Sequence, residues 1–161
     1  MINQEVIVNQ QLQERIHYDN PDFPLARFID EMDYFVDGEF LCHWHPEFEL
    51  AIILKGGIEY QVDQQVFRLH QGEGIFITSR ALHSARQLIP GSIIFNIEFP
   101  ASLFHTIGTS FLYQNYFNPS SLKKMGSWKI LPENEEESEI LERLMHIHRS
   151  DPDKYAYELL C

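Results

Sequence analysis

The feature that most restricts the fold is a succession of short apolar runs between Phe40 and Phe99, each ended by glycine or polar residues. Runs of this length, rich in Ile, Val, Phe, Leu and Tyr and separated by turn signals, build sandwiches or barrels. Residues 49–54 are nearly continuously apolar, and residues 58–62 alternate Ile, Tyr and Val with Glu and Gln. Gly56-Gly57 between them reads as the turn of a hairpin. Residues 63–65 and 71–74 then set off strands over 66–69 and 75–78, and residues 93–99 supply another strand. With 161 residues, 44% of them hydrophobic and 13% aromatic, the chain can bury one sizeable core. A single mainly β domain is expected.

The pattern changes after Pro100. Residues 101–117 mix Leu, Phe and Tyr at no clean period and read as partly helical, and Asn118-Pro119 ends that stretch. From Glu133 the spacing becomes helical, because Ile140, Leu141, Leu144, Met145 and His148 share one face. The acidic run Glu135-Glu136-Glu137 at the start and His148-Arg149 at the end suit the helix dipole. Asp151-Pro152 reads as the cap and first turn of a second helix over 152–160. That helix would still be running at Cys161, with no C-cap signal, as expected for a piece cut from a longer protein.

Charge removes one function class. Twelve basic against twenty-four acidic side chains leave a net charge of −12, which repels phosphate backbones and provides few groups to displace counterions. The chain by itself is not expected to bind DNA. Two distant cysteines, Cys42 and Cys161, suggest neither a disulfide framework nor a cysteine metal site. The N-terminus lacks a signal-like n-region and h-region, and no run is long enough to span a membrane. A cytoplasmic location is the expectation.

The stretch with most chemistry is His43-Trp44-His45-Pro46-Glu47-Phe48-Glu49, an H-x-H-x3-E pattern. On a strand, side chains alternate faces, so His43 and His45 project together about 7 Å apart along the backbone. Glu49 joins them by parity, or from the next strand if Pro46 breaks the first. His83 offers a fourth group. Three imidazoles and a carboxylate suit one divalent transition metal such as Zn, Ni, Mn or Fe, although His43 and His45 as simply hydrogen-bonded interior groups is the alternative. The chain's other H-x-H, His146 and His148, falls on the helical segment. There the two rings are rotated about 200° apart and cannot chelate together.

These residues resemble the cupin superfamily, whose first motif has a glycine, H-x-H, a glutamate and another glycine, and whose second has a glycine separated by ten residues from a further histidine. Gly38, His43, His45, Glu49 and Gly56 are similar to the first, with one fewer residue before His43. Gly72 and His83 keep the spacing of the second. Thr78, Arg80 and Gln87 stand where the family usually has Pro, Gly and Asn.

The wording of residues 43–50 and 77–84 is similar to the sensor domains of AraC-like transcription regulators, and Tyr113 to Pro119 and the closing helices resemble the helical part through which such regulators dimerise. The resemblance implies a cupin-type double-stranded β-helix, or jelly-roll barrel, over residues 1–100 with an N-terminal arm, followed by a helical dimerisation appendage over 101–161. It implies a small-molecule effector in the barrel, a sugar being one candidate, a homodimer, and DNA contact only through a C-terminal helix-turn-helix domain that these 161 residues lack.

On this reading the site comprises His43, His45, Glu49 and His83 as metal ligands, Trp44, Tyr60 and Arg80 as effector contacts, and Ile140, Leu141, Leu144 and Met145 at a twofold interface. An acidic effector would instead need Arg68, Arg80 or Arg86 turned inward. No catalytic residue is assigned. The competing expectation is a metal-dependent cupin enzyme, an isomerase or dioxygenase, which the same ligands permit. A metal-free storage or interaction barrel is a third reading, and it leaves the four candidate ligands without a purpose.

Overall fold

A computed structural model describes residues 2–3, 6–18, 20–105 and 126–150. Ten strands dominate it: β1 (Ile2–Asn3), β2 (Ala26–Glu31), β3 (Glu39–His43), β4 (Phe48–Lys55), β5 (Gly57–Val62), β6 (Gln65–His70), β7 (Gly74–Ile77), β8 (His83–Gln87), β9 (Ile93–Phe99) and β10 (Trp128–Ile130). Short 3-10 turns occupy Met32–Tyr34, Val36–Gly38 and Ala101–His105, and among the described residues one α-helix, α1, spans Glu135–Arg149. The fold is mainly β with a C-terminal helix, as the sequence pattern predicts.

Two sheets face one another. The larger has the order β1-β2-β9-β4-β7-β10 and the smaller β3-β8-β5-β6. Every pairing is antiparallel except β1 with β2. Between the sheets lies a core to which the larger contributes Ala51, Ile53, Ile75, Ile77 and Ile94, and the smaller contributes Phe40, Ile58, Tyr60, Val62, Leu69 and Ala85. Side chains of opposite parity on the larger sheet, including Phe48, Ile52, Phe76, Phe95, Ile97 and Phe99, form a second cluster with Leu141, Leu144 and Ile147 of α1. That sheet is therefore buried on both faces, and this explains why β4 is apolar without interruption from Leu50 to Leu54. From Ile58 onward β5 buries Ile58, Tyr60 and Val62 while Glu59 and Gln61 face outward, which produces its clean alternation.

The expected hairpin at Gly56-Gly57 is not formed. β4 pairs with β7 and β9, whereas β5 pairs with β6 and β8, so the chain changes sheets at this point. Gly56 has φ of +81°, a left-handed conformation that lets the backbone turn this corner without a side-chain penalty. A real hairpin follows one strand later, where β5 and β6 pair from Val62↔Gln65 onward.

The helix corrects a second expectation. Asn134 caps α1, its side-chain oxygen accepting from the backbone N–H groups of Glu136 and Glu137 at 3.0 and 3.3 Å. Leu141 and Leu144, assigned above to a twofold interface, are buried against the chain's own larger sheet, with Ile140 and Met145 packed at the margin. An amphipathic helix buries its apolar stripe on the nearest apolar surface, and here the outer face of β4, β7 and β9 supplies it. Gly74 on β7 allows the close approach: a Cβ there would lie 2.6 Å from the Ala51 carbonyl oxygen and 2.7 Å from a Leu141 methyl. The expected second helix over 152–160 and the Tyr113 to Pro119 segment lie outside the described residues.

Candidate metal centre

The polar groups of the barrel interior gather at one end. His43 closes β3, His83 opens β8, Glu49 sits near the start of β4 and Glu98 near the end of β9. His43 and His83 are paired across the strands of the smaller sheet, and Glu49 and Glu98 across those of the larger. His45 lies in the connection between β3 and β4, where its carbonyl accepts from the Arg80 N–H at 2.8 Å. β3 has ended at His43 before Pro46 is reached, and Glu49 returns to the interior from the opposite sheet.

The three imidazoles converge. Ring centroids lie 4.2 Å apart for His43 and His83, 5.0 Å for His45 and His83, and 5.9 Å for His43 and His45. One nitrogen from each falls within 4.8 Å of the others. Two ligands on one ion stand at most about 4.2 Å apart, twice a metal–nitrogen bond of about 2.1 Å, so small ring rotations would close the set. His43 Nδ1 and His83 Nδ1 each pair with a backbone carbonyl, Leu41 O at 2.8 Å and Ala81 O at 2.9 Å. Such contacts fix the ring orientation and turn Nε2 toward the centre.

Carboxylates surround the rings. Glu49 Oε2 is 3.3 Å from His83 Nε2 and 3.6 Å from His45 Nε2. Glu14 Oε2 is 3.3 Å from His43 Nε2, and Glu47 Oε2 is 3.8 Å from His45 Nδ1. Both nitrogens of His45, Nε2 of His83 and Oε2 of Glu98 are buried without a hydrogen-bond partner. Orphaned groups of this kind cost free energy in a dry interior, and a cation between them would satisfy His83 Nε2, Glu98 Oε2 and one of the two His45 nitrogens. The donor set fits a divalent metal.

Charge follows the same logic. Burial and the neighbouring His83 push His43 down to about 3, leaving it neutral. Burial opposes protonation of His83, but Glu49 outweighs it and holds His83 above the usual histidine range. Burial likewise opposes ionisation of Glu49, yet contacts from His45 and His83 keep it below the ordinary carboxylate range. Burial and the Glu49 charge drive Glu98 well above that range and push Glu14 up to about 7. Without a metal, protons supply the positive charge the cluster needs; a bound cation would release them.

The expected effector contacts do not assemble. Tyr60 is fully buried in the interior core, its ring edge-on to Phe40 at 6.1 Å. Trp44, out of phase with the flanking histidines, lies half-buried outside the barrel, its Nε1 donating to Gln11 O at 2.9 Å. Exposed Arg80 stands over the Trp44 ring at 5.7 Å. Arg68 and Arg86 both bind Glu59 on the outer face of the smaller sheet, so none of the three arginines turns inward.

Sequence reasoning missed Glu14 and Glu98. Glu14 arrives because residues 12–14 pair with the backbone of Trp44, through Trp44 N–H to Leu12 O and Glu14 N–H to Trp44 O. No local pattern signals such a contact. For Glu98 there was a signal, the polar residues Asn96 and Glu98 at alternate positions of an otherwise apolar strand.

With this geometry in view, comparison with known proteins identifies the central region. Residues 31–88 match the family model of the cupin domain. The cupin match includes His43, His45, Glu49 and His83 and excludes Glu14 and Glu98. An uncharacterized HTH-type transcriptional regulator, YdeC of Bacillus subtilis (strain 168), is 30% identical over 81 residues, which are 50% of this chain and 28% of the relative. The chain thus matches less than a third of the length of that curated relative. Among solved structures, KdgF from Halomonas sp. is similar with a TM-score of 0.42 and 18% identity, over 48% of this chain and 71% of that one. DMSP lyase DddQ from Ruegeria pomeroyi DSS-3 is similar with a TM-score of 0.42 and 23% identity, over 48% and 39%.

Proposed function

We propose that this chain is the effector-binding and dimerisation part of an AraC-like transcription regulator. In this reading its cupin barrel holds a divalent metal through His43, His45, Glu49 and His83. The observation that carries the regulator reading is the 30% identity to a helix-turn-helix regulator over half of the chain. The orphaned nitrogens of His45 and His83 support the metal. A bound ion would supply a Lewis-acidic point to which an oxygen of the effector coordinates.

A cavity of about 650 Å³ beside the cluster offers the effector a place to bind. Glu14 and Glu47, which touch His43 and His45, form one wall, and Arg15, His17 and Tyr18 give it a polar lining. Tyr18 donates to Glu47 Oε1 at 2.7 Å and so holds that carboxylate beside His45. A polyhydroxylated molecule such as a sugar suits these donors and acceptors. Differential affinity of the effector for two arrangements of barrel and helices would then change how attached DNA-binding domains are presented.

Elemental analysis of the purified protein, with thermal shift against sugars and metabolites, tests the site. Stoichiometric metal and a raised melting temperature with one ligand class are expected. The reading frame beyond residue 161 tests the regulator: continuation into two helix-turn-helix units is expected, and a stop codon there overturns it. The same ligand set leaves coordination positions open on a six-coordinate ion, which favours a second reading, a metal-dependent isomerase or dioxygenase. A frame that stops at residue 161, with iron or manganese bound, would support that reading.

A further inference from the structure

Glu98 lies ten residues beyond the matched cupin region and belongs to neither histidine motif. It is nevertheless the direct cross-strand partner of Glu49, and the two are only 6% and 3% exposed. Like charges opposed on adjacent strands repel, and the repulsion grows as water is removed. Among the described residues none of the buried polar groups is Lys or Arg, so no side-chain cation of that kind offsets the pair. A nitrogen of His45 and carboxylate oxygens of Glu49 and Glu98 lie within 4.8 Å of one another. Glu98 Oε2 has no hydrogen-bond partner.

We propose that Glu98 is a fifth protein ligand, binding the same ion as His43, His45, Glu49 and His83. The proposal rests on the metal reading above and deepens it. Glu49 and Glu98 together match the charge of a divalent cation at the ion itself, whereas Glu14 and Glu47 lie against the rings of His43 and His45. Two carboxylates beside three imidazoles move the preference toward harder ions, Mn or Fe rather than Cu. Five protein ligands leave one position on an octahedral ion. A small molecule reaching it binds through a single atom, not as a chelate.

The test is titration of the full chain with Mn²⁺ by calorimetry and with Co²⁺ by visible absorption, comparing the parent with Glu98→Gln and Glu98→Asp. Glu98→Gln is expected to weaken Mn²⁺ binding by about tenfold or more and to alter the Co²⁺ spectrum. Its metal-free melting temperature should stay close to the parent's, because Gln keeps the size and packing of Glu98. Glu98→Asp keeps the charge and should recover part of the affinity. Equal Mn²⁺ affinity and an unchanged Co²⁺ spectrum in Glu98→Gln would overturn the proposal, as would equal weakening by Asp and Gln, which would assign the loss to packing. Failure of the parent itself to take up either ion would overturn the underlying metal reading as well, so the two failures are distinct.

Discussion

The chain contains the tripeptide pattern H-x-H twice, and the two copies have opposite fates. At His43 and His45 an extended backbone leads both rings into the barrel, where they meet His83 and Glu49. At His146 and His148 the pattern lies on α1: His146 is exposed, while His148 leans on the Phe95 ring at 4.8 Å. The composition is the same and the backbone beneath it differs, a strand end and the connection after it in one case and a helix in the other. A ligand motif thus acquires meaning only once the element beneath it is known.

The contrast is broken most directly by removing one ring at a time. His45→Ala should weaken Mn²⁺ or Zn²⁺ binding by more than about 100-fold, beyond the loss typical of a supporting contact, while His146→Ala leaves affinity within about twofold. Calorimetric titration of both variants decides it, and comparable losses would mean that the ion sits elsewhere.

The helix can be probed through its buried side. Leu144→Ala should destabilise the fold by about 2–5 kcal/mol in urea denaturation, because the removed side chain fills the layer between α1 and the larger sheet. Sedimentation should show an unchanged oligomeric state. A dimer that dissociates without loss of monomer stability would return this face to the twofold role first expected of it.

Acidity separates the two copies more gently. Glu14 titrates near 7 in the folded metal-free chain against an ordinary value of 4.5, so the folded state holds an extra proton between those values. Its contribution is fully present below about pH 4.5 and is lost as the pH rises toward 7. His43, depressed to about 3, acts in the opposite sense between 3 and 6.5, so the quantity to measure is the stability of the parent minus that of Glu14→Gln. This difference should fall across pH 4.5–7. A flat difference would show that Glu14 is ionised in the cluster.

The smallest effect is expected at the helical copy. His148→Ala loses one ring contact with Phe95 and should cost about 1 kcal/mol with no change in metal affinity.

Strands such as β4 and β9 were legible because local composition and burial agree. The partner of each strand was not legible. Gly56 looked like a hairpin turn because a glycine pair between two apolar runs carries the same local signal whether the chain folds back or crosses to the facing sheet. Only the pairing of β4 with β9, some forty residues later in the chain, resolves the difference. β2 was missed because its segment, Ala-Arg-Phe-Ile-Asp-Glu, mixes inward and outward polar groups. At the site, the four motif residues could be found from spacing. Glu14 could not, since its approach to His43 depends on a backbone pairing thirty residues away in sequence. Nor could the use of Leu141 and Leu144 be read from periodicity, which shows that a helix has an apolar face without showing what covers it.

Gly74 gives the two layers a fixed separation. One hydrogen atom at that position is all that stands between the β7 backbone and the helix above it, so the seat of α1 is set by what is missing from a strand. Any larger residue there would act as a spacer, lifting the helix and pressing on Ala51, whose strand carries Glu49 two residues earlier. The narrowest point of the packing therefore joins the outer layer mechanically to the strand that presents the central carboxylate.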